Sequence, residues 1–262
     1  MRVRARISLA LAAFALSGPL SSPRAALVAV NATVAEQYLL SAANNERVSR
    51  GLIPLRHDPL LTRAASEHAR AMAEHGTISH QFEDEPDLTH RGATAGVPFS
   101  VISENVGEAP DVASIHDMWM HSEHHRNNLL DPAVDSAGIS VVFRGGEFFA
   151  VEDFARTVQH VGLENQESAI AEQIARSSHV QILQASTALE DARQTCRLDS
   201  GFSGERRPAF IMRFTSDSLT RLPDELKSRV ASGKYRDAAV GACASTQQGP
   251  FTGYNFAVLL YR

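Results

Sequence analysis

Apolar positions recur at intervals of three and four over the first part of the chain and then switch to an interval of two. Residues 33–48 place Val34, Gln37, Tyr38, Ser41, Ala42 and Asn45 on one mixed face, which predicts a helix ended by Gly51. Leu61, Ala64, Ala65, His68 and Met72 repeat in the same way, and Gly76 ends that run. Asp58 and Pro59 mark its start. The aspartate can accept from first-turn amides, and proline at the first helical position gives up an N–H that would have no partner there. Residues 111–121 form a third helical pattern, with Val112, Ile115 and Trp119 on one side. The acidic run Glu83, Asp84, Glu85, Pro86, Asp87 reads as a loop, and Pro98 marks another irregular segment. Residues 137–143 and 147–154 flank Gly145 and Gly146, the signature of a β-hairpin.

A second region begins near Gln159. Helical spacing covers 168–183, 187–198 and 223–231, and strand-like runs cover 208–214, 240–244 and 251–261. The halves echo each other faintly. Ala137 and Gly138 followed by residues 150–154 parallel Val240 and Gly241 followed by 257–261, and Leu61, Ala64, His68 match Leu189, Ala192, Cys196 in spacing. Two readings stand: a degenerate internal repeat, or two unrelated sheet edges. Helices and strands together give an α+β class.

Composition adds compartment and excludes several partners. The chain has 262 residues, 44% of them hydrophobic, enough for a real core and too apolar for disorder. Its net charge of −5 offers no electrostatic footprint for nucleic acid. Arg2, Arg4 and Arg6 precede a ten-residue run, 7–16, that is apolar but for Ser8, and then Ser17, Gly18 and Pro19, the layout of a secretory signal peptide, assigned to residues 1–26. Removing it takes away four arginines and no acids, so the mature charge becomes −9. A run of that length is too short to span a bilayer, which takes about 20 residues, and no transmembrane segment is expected in the mature chain. The location expected is secreted, periplasmic or cell envelope, where Cys196 and Cys243 can oxidise.

Nine of the eleven histidines fall between positions 57 and 125. They are interleaved with four short motifs: Asn45, Glu46, Arg47 with Gly51, Leu52, Pro54, Leu55, Asp58, Leu60; then Ser79, His80; then Glu104, Asn105, Val106; then Trp119, Met120 with His125, Arg126, Asn128, Leu129, Asp131, Pro132. In this order and spacing the sequence resembles the CAP superfamily, the cysteine-rich secretory, antigen 5 and pathogenesis-related 1 proteins, in its bacterial branch with one SCP-like domain. The resemblance assigns residues 33–156 to that domain and leaves 160–262 as a C-terminal α+β extension. It implies an α-β-α sandwich with a central antiparallel sheet and an open cleft, lined by two histidines and two acids that can hold a divalent metal. Carried over by motif, His80 and His125 are the imidazoles and Glu104 is one acid. The other acid would fall at Ser122, three residues after Trp119, so it does not transfer.

The segment Ser122, Glu123, His124, His125, Arg126 also lacks the proline and glycine common in bacterial members. Without them the helix from Asp111 is expected to run on, putting His121 and His125 on one face four residues apart, with Glu123 as a substitute acid. Neutral imidazoles and carboxylates suit Zn²⁺ and its neighbours, and Zn²⁺ is the metal expected first. His68, on an apolar face, reads as a hydrogen-bonded core histidine, and Arg126 as a loop pin.

No GxSxG elbow, HExxH helix, phosphate loop or dinucleotide fingerprint is present. Two classes of function remain. One is an extracellular binding module for a lipid, peptide or cell-envelope component, with metal as a modulator. The other is a metal-assisted hydrolase with Glu104 as general base toward a metal-bound water.

Overall fold

The computed structural model describes residues 33–184, 187–244 and 249–262; the leader expected at 1–26 lies outside them. Helix α1 (Val34–Ser49) starts at Thr33, whose hydroxyl accepts from the Glu36 amide (3.3 Å) while the Glu36 carboxylate accepts from the Thr33 amide (2.7 Å). Two amides left free at a helix start are thus satisfied reciprocally. Arg47, on the buried face of α1, donates to the carbonyls of Ile53, Leu129, Asp131 and Val134 at 2.9, 2.8, 2.9 and 3.2 Å. One guanidinium therefore closes two loops that would otherwise bury unpaired carbonyls.

After β1 (Arg56–His57), α2 (Pro59–His75) begins on Asp58, which accepts from the Leu60 and Leu61 amides at 2.8 and 3.2 Å. The short α3 (Leu88–Thr94) and the long β2 (Phe99–Ala109) follow; neither was expected from the hydrophobic pattern. Then come α4 (Val112–His121), α5 (Glu123–Leu129), β3 (Ser136–Arg144) and β4 (Glu147–Thr157). The sheet order is β1-β3-β4-β2, antiparallel except for the two-residue parallel pairing of β1 with β3. Strand β2 is thus an edge. The sheet packs α2 on one face, through Ala65, Ala69 and Met72, and α1 and α4 on the other, through Leu39, Ile115 and Trp119.

The remainder is α6 (Leu163–Ser177), β5 (Gln181–Ile182), α7 (Thr187–Cys196), β6 (Phe210–Ser216), α8 (Asp224–Ala231), β7 (Asp237–Cys243) and β8 (Tyr254–Tyr261). Its strand order, β5-β7-β8-β6, and its one parallel pair, β5 with β7, repeat those of the first sheet. The repeat extends to a close approach of helix to strand. A Cβ added at Gly138 of β3 would lie 2.2 Å from the Leu61 carbonyl carbon and the Thr62 nitrogen of α2; one at Gly241 of β7 would lie 2.2 Å from the Arg193 nitrogen and 2.3 Å from the Ala192 carbonyl carbon of α7. Only glycine lets backbone meet backbone there.

The structure therefore carries the sequence echo but shifts its alignment. Gly138 does match Gly241. Leu61, however, corresponds to Ala192 rather than Leu189, and Asp153, the β4 partner of Gly138, corresponds to Ala257, the β8 partner of Gly241. Cys196 and Cys243 form a disulfide joining α7 to β7, with Cα atoms 5.8 Å apart. Closing a loop of that length contributes about 4 kcal/mol on the chain-entropy account.

Candidate functional site

The central rungs of the first sheet are polar. Glu104 of β2 pairs with Asp153 of β4, and the next rung pairs Asn105 with Glu152. Side chains alternate across a strand, so Glu104 and Asp153 share the α2 and α3 face while Asn105 and Glu152 share the other. All four are buried.

Both oxygens of Glu104 are committed. Oε1 accepts from His80 Nδ1 at 2.9 Å, and Oε2 accepts from the Arg91 guanidinium, a pair with both side chains only 2% exposed. His80 follows α2 and keeps its ring largely in solvent. With Nδ1 donating to Glu104, its Nε2 faces outward as the free nitrogen, the tautomer control that a carboxylate exerts on imidazole. Arg91, on α3, also donates to the Pro86 carbonyl (3.1 Å) and the His80 carbonyl (3.4 Å). Behind it His68 is fully buried, its Nδ1 2.9 Å from the Glu85 carboxylate and its Nε2 2.7 Å from the Ser79 carbonyl. It is the core histidine expected, and it fixes the loop that delivers His80.

His125 reaches the same edge from the opposite face. Asn105 Nδ2 donates to the His125 carbonyl (3.0 Å), and Asn128 Nδ2 donates to the Glu104 carbonyl (3.0 Å) and to Asn105 Oδ1 (3.1 Å). These bonds bind α5 to the outer edge of β2, where strand pairing leaves a carbonyl unmatched. Arg126 Nη1 donates to the Met120 carbonyl (3.1 Å), pinning the α4–α5 junction.

The charges are staggered. Its hydrogen bond to Glu104 raises the His80 pKa, against a smaller opposing effect of burial. Burial, then the charges of His80 and His124, lower that of His125. Burial, reinforced by the neighbouring Glu104, holds the Asp153 carboxyl well above the usual carboxylate range. No donor among the described residues reaches either Asp153 oxygen, so the protonated acid, whose own O–H can point to Glu104, is the form that fits. Burial alone pushes Glu152 up to about 8.

Two expectations change. The helix from Asp111 does not run on: Ser122 has extended φ −90 and ψ 124 and separates α4 from α5. His121 ends α4 with its side chain 77% exposed and Nδ1 2.8 Å from the Asp117 carbonyl, so it does not share a helical face with His125. The break occurs at the extended Ser122 backbone, without a side-chain cap bond and without the proline and glycine whose loss suggested continuity. Glu123 lies exposed in the first turn of α5. The second change concerns the metal. With Glu104 and His80 Nδ1 committed, two imidazoles remain, and among the described residues no group of three His, Cys, Asp or Glu is placed to hold an ion. Catalytic zinc takes three protein ligands, so this donor set does not fit the Zn²⁺ site expected from His80, Glu104 and His125. Arg91, Asp153 and Glu85 were missed as site residues.

Comparison with known proteins bears on the first half of the chain. Residues 40–154 match the family model for CAP, the cysteine-rich secretory protein family. The uncharacterized protein YkwD of Bacillus subtilis is 26% identical over 111 residues, 42% of this chain and 43% of its own. The crystal structure of an extracellular SCP-domain protein from Bacillus anthracis covers 47% of this chain and 40% of its own at 25% identity and TM-score 0.44. An outer surface protein of Borrelia burgdorferi covers 47% of this chain and 92% of its own at 20% identity and TM-score 0.44. The chain thus spans less than half the length of the two Bacillus proteins.

Proposed function

We propose that this is an exported CAP-domain protein whose cleft at the edge of β2 binds an extracellular lipid, peptide or cell-envelope component through an anionic group held between His80 and His125. The observation that carries this reading is the double commitment of Glu104, to His80 and to Arg91. A carboxylate so placed is a support for His80 rather than a free ligand or base. His80, with its raised pKa, readily carries a proton, and its outward Nε2–H can then donate to an anion; His125, with its lowered pKa, is the neutral member. Export is supported by the leader pattern and by the disulfide, and no helix among the described residues is long and apolar enough to cross a membrane. The metal-assisted hydrolase has less support, because its general base would need a Glu104 oxygen released from His80 or from Arg91.

Ring ¹⁵N spectra of His80 and His125, titrated with a short-chain fatty acid, an acidic dipeptide and inorganic phosphate, test the reading. At least one anion should shift both rings, bind more tightly at pH 6 than at pH 8, and lose about tenfold in affinity in His80→Ala, the scale of a charge-assisted hydrogen bond. Rings that respond to none of the three would remove the proposal. Turnover of an ester or peptide that depends on Glu104 would favour the hydrolase.

A further inference from the structure

The second half clasps the strand that carries Glu104. Asp217, just after β6, accepts from Arg156 Nε (2.8 Å) at the end of β4 and from Ser100 Oγ (3.5 Å) at the start of β2. From the β7–β8 connection, the Thr252 amide donates to the Phe99 carbonyl (2.6 Å), and the Phe251 ring stands edge-on to Phe99, with centroids 5.4 Å apart and planes at 74°. Phe99 is fully buried and packs against α3 at Gly92, where an added Cβ would come within 3.1 Å of the Phe99 ring and 2.8 Å of Ile102. The next residue back on α3 is Arg91, the partner of Glu104.

These contacts fall on an irregularity in the ladder. Phe99 pairs with Thr157 and Val101 with Arg156, so Ser100 is an extra residue, a β-bulge. Strand side chains alternate with a period of two, and a slip of one residue would send Glu104 to the face Asn105 now occupies. Among the described residues strand β2 has β4 as its one neighbour in the sheet, so no second ladder there fixes its register. Glu104 lies four residues beyond the bulge, about 13 Å along the strand, too far for Asp217 or Phe251 to act on it directly.

We infer that the C-terminal half is a register lock for the site: Asp217, Phe251 and Thr252 hold the Ser100 bulge and thereby keep Glu104 on the face of His80 and Arg91. Asp217 and Phe251 are positioning residues, distant from any ligand in the cleft. The inference rests on His80 and Glu104 forming the site.

The test uses the full chain carrying Asp217→Ala with Phe251→Ala. Amide hydrogen exchange over 101–106 should quicken about tenfold, the combined scale of one half-buried ion pair and one aromatic pair, while the β3–β4 amides keep their rates. The His80 Nδ1 signal should move toward its position in Glu104→Gln, which breaks the contact directly and serves as reference. If Glu104→Gln leaves the His80 signal in place, the site reading itself fails. If Glu104→Gln moves it but the double variant changes neither the signal nor β2 exchange, the lock is overturned. Should the double variant not fold, Phe251→Ala alone removes a ring already 58% exposed and gives the same readouts.

Discussion

Level with Gly138, the first sheet sets Glu104 opposite Asp153; level with Gly241, the second sets Arg213 opposite Ala257. One rung on, Asn105 and Glu152 face each other in the first, Phe214 and Phe256 in the second, the two rings 5.2 Å apart. Arg213 donates Nε to the Thr195 carbonyl (2.8 Å) and Nη2 to the Gly201 carbonyl, with no carboxylate across from it. The same strand order therefore closes with aromatic and hydrogen-bonded rungs where the first half buries three carboxyls. Burying them is costly, and the second half demonstrates that the topology does not require it. The helices make the same point. Arg91 comes from α3 and His125 from α5; among its described residues the second half has no helix between α7 and β6, and only α8 between β6 and β7. The site is a shared core plus two added helices and two polar rungs.

Removing the arginine from each half separates these roles most sharply. Arg91→Ala strands a buried Glu104 charge and should cost about 3–5 kcal/mol. Arg213→Ala loses bonds to neutral carbonyls and should cost about 1–2 kcal/mol. Urea denaturation of the two variants beside the parent measures both, and equal costs would mean that the polar rung is no more of a burden than its counterpart.

The next effect is a pH dependence belonging to the first half alone. Glu152 has both carboxyl oxygens buried without a partner and its pKa pushed from 4.5 to about 8. The folded chain keeps a proton that the unfolded chain releases, so the stability Glu152 contributes is complete below about pH 4.5 and declines as pH rises through 8. Between pH 4.5 and 7 the decline is on the order of 3 kcal/mol. Glu152→Gln carries no such proton and should flatten the fall measured between pH 5 and pH 8, leaving a residue from Asp153, which is also raised. An unchanged slope would show that the carboxyl is not held neutral.

Legibility followed the same division. Asp58 with Pro59, the glycines of the hairpin turn and the spacing of Leu61 to Met72 made α2, β3 and β4 readable, because their local chemistry agrees with their burial. Strand β2 was unreadable for physical reasons: Ser100 bulges, Glu104 and Asn105 put polar side chains at buried positions, and the alternation that marks a strand is lost. His80, Glu104 and His125 were visible only through the spacing of the family motifs. Arg91 was hidden in a seven-residue helix whose role depends on a partner 13 positions away, and Asp153 read as part of an ordinary hairpin. The echo between the halves was legible at the glycines, where a backbone contact permits one residue type, and misaligned by three where side chains were free to diverge.

The smallest expected effect concerns how each half starts. Helix α1 has the reciprocal Thr33–Glu36 cap, whereas its counterpart α6 begins at Gly162 with no side-chain cap. Thr33→Ala should cost about 1 kcal/mol. Gly162 has φ −61 and ψ 149, open to any residue, and an added Cβ there meets nothing within 4 Å. Gly162→Ser should therefore gain a few tenths of a kcal/mol by offering the missing acceptor. Melting curves of the two variants should move in opposite directions. A loss of stability in Gly162→Ser would mean that the start of α6 is held by something other than its own unsatisfied amides, and that the two halves differ in how their first helices are anchored as well as in their central rungs.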